Sequence, residues 1–159
     1  MNQQRLRGQL AIDEGRRSTP YRDTVGIWTV GIGHNMERGL TGAQFAALFE
    51  VTPMSEEQID WLFARDFKDH VEQTRLLFSA LDDYTDARQE ALVNMMFNLG
   101  YRRLSRFVKM RGAIELLEWD MAADEAKDSS WYGQVGQRAE RIVYALRHGE
   151  WEMQVQDRA

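Results

Sequence analysis

Residues Ile12 to His34 read IDEGRRSTPYRDTVGIWTVGIGH. The stretch sets an acid, Glu14, nine positions before a second acid, Asp23. A hydroxyl, Thr29, follows six further on, and glycines space the exit to His34. Ahead of it, Leu6, Leu10 and Ile12 give a loose apolar face for a short N-terminal helix. Gly15 ends that helix, since glycine takes positive φ without steric cost. Glu14 then falls at the last helical position, where the negative end of the macrodipole favours a protonated carboxyl. A glutamate protonated near neutral pH is what a general acid requires. Pro20 and Tyr21 read as extended, Asp23 to Gly26 as a turn, and Ile27 to Ile32 as a return strand. Alternation turns Trp28, Val30 and Ile32 inward and leaves Thr29, with Gly31, on the other face. There the second carboxylate and the hydroxyl are placed to hold a water. By spacing alone, Asp23 is equally a turn former, Thr29 an ordinary strand residue and Glu14 a helix end.

Two later segments extend the reading. ALVNMMFNLG, Ala91 to Gly100, is apolar nearly all round, as expected of a buried helix. SSWYGQVGQRAERIVYALRHGEWE, Ser129 to Glu152, carries a helical repeat through Ala139, Ile142, Val143 and Leu146, with Gly136 as N-cap and Gly149 as stop. With these segments, IDEG-x5-Y-x-DT-x-G-x2-T-x-GIGH resembles the catalytic region of the T-even phage lysozyme family, endolysins that cleave peptidoglycan glycans. The resemblance covers nearly the whole chain.

That resemblance implies an α+β, mostly helical, two-lobed lysozyme fold in one domain. A β-containing lobe would span about 15–54 and a connecting helix about 55–77. A helical lobe would span about 78–159, joined by the N-terminal helix 1–14. It implies Glu14 as general acid, with Asp23 and Thr29 positioning a water. It suggests Gly33, Asn35, Phe97, Asn98 and Arg138 as substrate-binding residues and His34 with Asp66 as a structural pair. Asp66 and His70 are also an i, i+4 pair at the edge of one helical stripe, and Phe97 is equally plain core. Arg138 matches an arginine that approaches the catalytic glutamate. Such an arginine would lower the pKa of Glu14 against the effect of the helix end, so burial has to prevail if Glu14 is to stay protonated.

Composition narrows the partners. The 159 residues are long enough to bury a core, and 43% are hydrophobic. There is no cysteine and there are three histidines, so neither a disulfide framework nor a zinc site of the usual ligands is expected. No metal or other cofactor is implied. No apolar run approaches the roughly 18 residues of a membrane span, and the first ten residues lack a signal peptide's apolar core. The resemblance implies synthesis in the host bacterial cytoplasm and action on the cell wall in the periplasm, reached through a separate pore former, by a monomer.

The net charge is −5. Residues 41–100 hold most of the imbalance, with four Lys or Arg against eleven Asp or Glu. Many phage lysozymes are basic, and this departure argues against long-range steering toward an anionic wall, though not against the fold or the chemistry. Arg102, Arg103, Arg106, Lys109 and Arg111 form the basic cluster. It reads as solvated surface, as a patch for anionic wall polymer, or, least, as a nucleic-acid site in an acidic chain without a DNA-binding motif.

The remaining helices follow from periodicity. Thr41 to Glu50 reads as a short helix. Ser55 and Gln58 form a capping box for a long helix to Leu77, with Ile59, Leu62, Phe63, Phe67 and Val71 inward. Asp82, Asp83 and Asp86 suit a loop and helix N-terminus. Ile114, Leu117 and Met121 mark one more helix. Trp131 and Tyr132 read as core. The expected activity is hydrolysis of the β-1,4 bond between N-acetylmuramic acid and N-acetylglucosamine, with inversion. The alternatives are a lytic transglycosylase on the same substrate, which needs a single acid, and a catalytically silent wall-binding module.

Overall fold

The computed structural model describes residues 1–37, 43, 47, 50 and 52–152. Helix α1, Gln3–Glu14, buries Leu6 and Leu10, one turn apart on one face. Gly15 follows with φ 74° and donates its N–H to Ala11 O at 3.1 Å. Ile12 departs from the expected apolar face and is 77% exposed. Two positions beyond Leu10, it points away from the buried side.

Strands β1, Arg17–Arg22, β2, Trp28–Gly31, and β3, His34–Asn35, form an antiparallel sheet in that order. Tyr21 pairs with Thr29 and Arg22 with Trp28, while the register shifts between Arg17 and Tyr21. Pro20 lies in that shift and has no N–H to give the ladder. Val30 and Ile32 are buried as expected.

Helix α2, Glu56–Leu77, starts at the expected capping box. Ser55 N–H donates to Gln58 Oε1 at 2.7 Å, and Gln58 N–H donates to Ser55 Oγ at 3.2 Å. Ile59, Leu62, Phe63, Phe67 and Val71 are all buried. The Arg7 guanidinium of α1 covers the Phe63 and Phe67 rings. The short helix expected over Thr41–Glu50 falls mostly outside the described residues.

The chain divides into two compact units, Gln4–Asp69 and Met1–Gln3 with the residues from His70 onward. The division falls inside α2, which spans the range expected for the connecting helix, and most of α1 goes with the sheet-bearing unit. No helix among the described residues is long and apolar enough to cross a membrane.

In the second unit, a 3-10 turn at Leu81–Asp83 leads to α3, Asp86–Leu104, capped by the Thr85 side chain. Ala91 to Met96 are buried without a break, so this is the unit's apolar centre. Gly100, with φ 70° and ψ 164°, interrupts the helical geometry, and one further turn runs to Leu104. Helices α4, Val108–Glu115, and α5, Trp119–Lys127, replace the single helix expected from Ile114, Leu117 and Met121. Leu117 sits in the turn between them with φ 59°, and both it and Met121 are exposed. The inward face of α5 is Ala122, Ala123 and Ala126. These small side chains carry little apolar signal in the sequence yet permit close packing on the last helix.

Helix α6, Ser130–Val135, buries Trp131. Helix α7, Gln137–His148, begins at Gly136 and stops at Gly149, with Ala139, Ile142, Val143 and Leu146 inward as expected. Arg88 of α3 donates to Leu146 O at 2.9 Å and Arg147 O at 3.1 Å, satisfying carbonyls that the helix end leaves open. Of the basic cluster, Arg102, Arg103, Arg106 and Lys109 are exposed. Arg111 is half-buried, departs from that surface and donates to Ser105 O.

Candidate active site

Glu14 is the last residue of α1 and is half-buried. Gly33, in the β2–β3 turn with φ 67°, lies directly against it. A Cβ at position 33 would sit 2.8 Å from Glu14 Oε2 and 2.9 Å from its Cγ. Only a residue without a side chain fits there, for both space and backbone conformation. Gly33 therefore leaves the space that the Glu14 carboxyl occupies.

Asp23 opens the turn between β1 and β2. Its Oδ1 accepts from Val25 N–H at 2.9 Å and Ile27 N–H at 2.8 Å. Its backbone N–H and C=O close the same turn with Ile27 O and Gly26 N–H. The turn-forming reading of Asp23 is thus correct as far as one oxygen goes. Oδ2 takes no hydrogen bond among the described residues.

Thr29 is 5% exposed, so it is buried rather than open on the outer face. Its hydroxyl donates to Ile27 O at 3.1 Å. The proton is thereby spent, and the hydroxyl oxygen faces any further partner as an acceptor. Asp23 and Thr29 share Ile27: the carboxylate takes its N–H and the hydroxyl its C=O.

Tyr21 pairs with Thr29 across the sheet, so the two side chains leave the same face. Burial raises the phenol above its ordinary pKa, and the negative charge of Glu14 adds to this. Arg17 opposes the rise and Asp23 reinforces it. Tyr21 thus feels both carboxylates. Its letter stands in the sequence motif, but only the strand register reveals that it shares a face with Thr29.

His34 Nδ1 lies 2.7 Å from Asp66 Oδ2, tying β3 to α2. Asn35 Oδ1 accepts Glu37 N–H at 2.9 Å, so this side chain closes a turn.

Phe97, Asn98 and Arg138 belong to the other unit. Phe97 stacks on His70 with ring centroids 4.1 Å apart. Asn98 Oδ1 accepts Trp131 Nε1–H at 2.7 Å. Arg138 donates from Nε to Asn94 Oδ1 at 2.7 Å, and Asn94 is itself buried. Asn94 drew no attention in the sequence because it interrupts an apolar run without any motif around it.

Comparison with known proteins places this arrangement. The model of the phage lysozyme family matches residues 11–144. A probable T4-type lysozyme 2 of Dictyostelium discoideum is 28% identical over 91% of this chain and 94% of its own length. The pre-baseplate central spike protein Gp5 of Enterobacteria phage T4 is 30% identical over 88% of this chain, but over 27% of its own. Peptidoglycan hydrolase gp36 of Pseudomonas phage phiKMV is 31% identical over 86% of this chain and 14% of its own. The match begins three residues before Glu14 and runs past Arg138, and the chain belongs to the phage lysozyme family, of the T4 type.

Proposed function

We propose that this protein hydrolyses the β-1,4 bond between N-acetylmuramic acid and N-acetylglucosamine in peptidoglycan, inverting the configuration at the cleaved carbon. The observation that carries this reading is the split use of hydrogen bonds around Ile27. Among the described residues Asp23 keeps one carboxylate oxygen uncommitted, and Thr29, its proton given to Ile27 O, presents an acceptor. A water donating one hydrogen to each turns its lone pair outward, toward an anomeric carbon. As that oxygen bonds to carbon, its proton passes to Asp23 and Glu14 protonates the departing sugar oxygen. Both electron pairs and protons are then accounted for without a covalent intermediate. Gly33, by leaving room for Glu14, lets the acid take the position from which it delivers the proton.

A lytic transglycosylase needs the acid but no held water. The backbone hydrogen bonds invested in orienting Asp23 favour hydrolysis.

The test is product analysis on purified peptidoglycan with wild type and Glu14→Gln. The expected result is reducing muramic-acid ends from wild type and a loss of at least about a thousandfold in the variant, with the unfolding midpoint unchanged. Anhydro-muramic ends would contradict the hydrolase reading, and undiminished turnover in Glu14→Gln would remove Glu14 as the acid.

A further inference from the structure

Helix α4, Val108–Glu115, turns Met110, Ala113 and Ile114 inward and leaves an outer face that the fold does not use. At 100° per residue, Val108, Gly112 and Glu115 form its outermost row, flanked by Lys109 and Leu116. Val108 is 68% exposed and Leu116 71%. Leu117, next in the chain, is 60% exposed, although its φ of 59° would suit a glycine or asparagine. Gly112 has no left-handed backbone, and a Cβ there would meet nothing within 4 Å. Neither conformation nor internal space asks for glycine in the middle of an eight-residue helix, where it weakens the helix. What bare backbone does offer is close approach by another chain.

The residues on either side of Gly112 complement one another. Lys109 and Glu115 stand three positions before and after it, Val108 and Leu116 four, Arg106 and Glu118 six. The four charged side chains are exposed, and none has an ion-pair partner among the described residues. A twofold axis through Gly112, perpendicular to the helix, reverses both the direction of the helix and its sides. It lays Lys109 beside Glu115 of a second copy, Arg106 toward its Glu118 and Val108 against its Leu116. A lipid surface or a polyanion fits less well, because Glu115 and Glu118 stand at one end of the same face.

We propose that the outer face of α4 is a self-association surface, on which a second copy of this chain packs antiparallel about Gly112 to give a twofold dimer. This departs from the monomer that the resemblance implies. One short helix per copy covers less than a standard interface, so the dimer is weak, with a dissociation constant on the order of 100 μM.

Sedimentation equilibrium of the full chain, from roughly 10 μM to roughly 1 mM, tests the proposal. The mass should rise from one chain to two and no further. Arg106→Glu with Lys109→Glu, and separately Glu115→Lys with Glu118→Lys, should each leave the protein monomeric, because both ends of the face then carry one sign. An equimolar mixture of the two variants should regain the dimer, since each end then meets its opposite; damage within the monomer would not be repaired by mixing. Gly112→Gln should also abolish the dimer while holding or raising the unfolding midpoint, as a helix former replaces glycine. A single-chain mass at every concentration would overturn the proposal, and so would a mixture that stays monomeric. Dimers that survive both charge reversals would place the contact elsewhere. Masses above two chains would mean an open head-to-tail contact in place of a closed one.

Discussion

The sheet-bearing unit and the helical unit treat their polar groups in opposite ways. In the helical unit buried ones such as Glu90 and Asn94 are spent, although Arg111 Nε meets no acceptor among the described residues. Glu90, fully buried, accepts Asn2 N–H at Oε1 at 2.8 Å and Trp151 Nε1–H at Oε2 at 2.7 Å. Asn94 takes Arg138, Asn98 takes Trp131, and Arg88 closes the end of α7. Buried polar groups of this kind hold a fold in one arrangement because each bond left unmade is costly. In the sheet-bearing unit His34 and Asp66 are paired, but three groups near the β1–β2 turn are half-spent. Among the described residues, Asp23 commits one oxygen, Thr29 commits its proton alone, and Arg17 meets only the Tyr21 ring. The same residue types act as structure in one region and as candidate chemistry in the other, and the difference lies in remaining hydrogen-bonding capacity.

Three substitutions probe that contrast, in order of falling effect. Gly33→Ala attacks the sheet-bearing unit where a methyl must displace Glu14 and adopt positive φ. Activity on peptidoglycan should fall about a hundredfold, the scale of an ångström-size misplacement of a catalytic group. Thermal unfolding should record only a modest cost. Retention of full activity would show that Glu14 is not fixed by this contact. Glu90→Ala attacks the helical unit and removes the buried carboxylate that receives the Asn2 N–H and the Trp151 Nε1–H. Stability in urea should fall by about 3 kcal/mol, while activity per folded molecule at 25 °C stays within about twofold. A selective loss of activity would break the division between structural and chemical polar groups.

The smallest effect belongs to Asp82, an exposed carboxylate bridged by Arg75 at 3.0 Å. The Arg75 hydrogen bond holds Asp82 below its ordinary pKa of 3.8. A depressed carboxyl contributes stability that is present above that ordinary value and is lost as pH falls below it. Asp82→Asn should therefore leave stability near pH 7 almost unchanged and make acid unfolding slightly less steep, as read from unfolding midpoints between pH 2 and 5. An equal change at every pH would assign Asp82 a role other than its charge.

Much of this was legible in the sequence, for reasons that differ by element. Long helices announce themselves: the capping box at Ser55 and the stripe from Ile59 to Val71 require no tertiary information. Gly15, Gly136 and Gly149 mark helix ends because positive φ at those points selects glycine. The α4–α5 break was hidden, since Ile114, Leu117 and Met121 keep a helical spacing across a turn that only the backbone of Leu117 betrays. At the site, Glu14, Asp23 and Thr29 could be nominated by spacing. What their atoms are free to do could not, because it depends on which N–H and C=O of Ile27 each one takes. Tyr21 and Arg17 stayed silent because the register shift ahead of Tyr21 sets their face, and a shift of register leaves no periodic trace.

The most direct measurement is the anomeric configuration of the first-formed reducing end, followed by proton NMR during digestion of soluble glycan strands. A water held by Asp23 and Thr29 opposite Glu14 predicts the α-anomer of the muramic-acid end at the earliest times, with the β-anomer growing in later by mutarotation. Initial release of the β-anomer would mean that Asp23 attacks carbon itself or that the water arrives from the other face, and either would contradict the account.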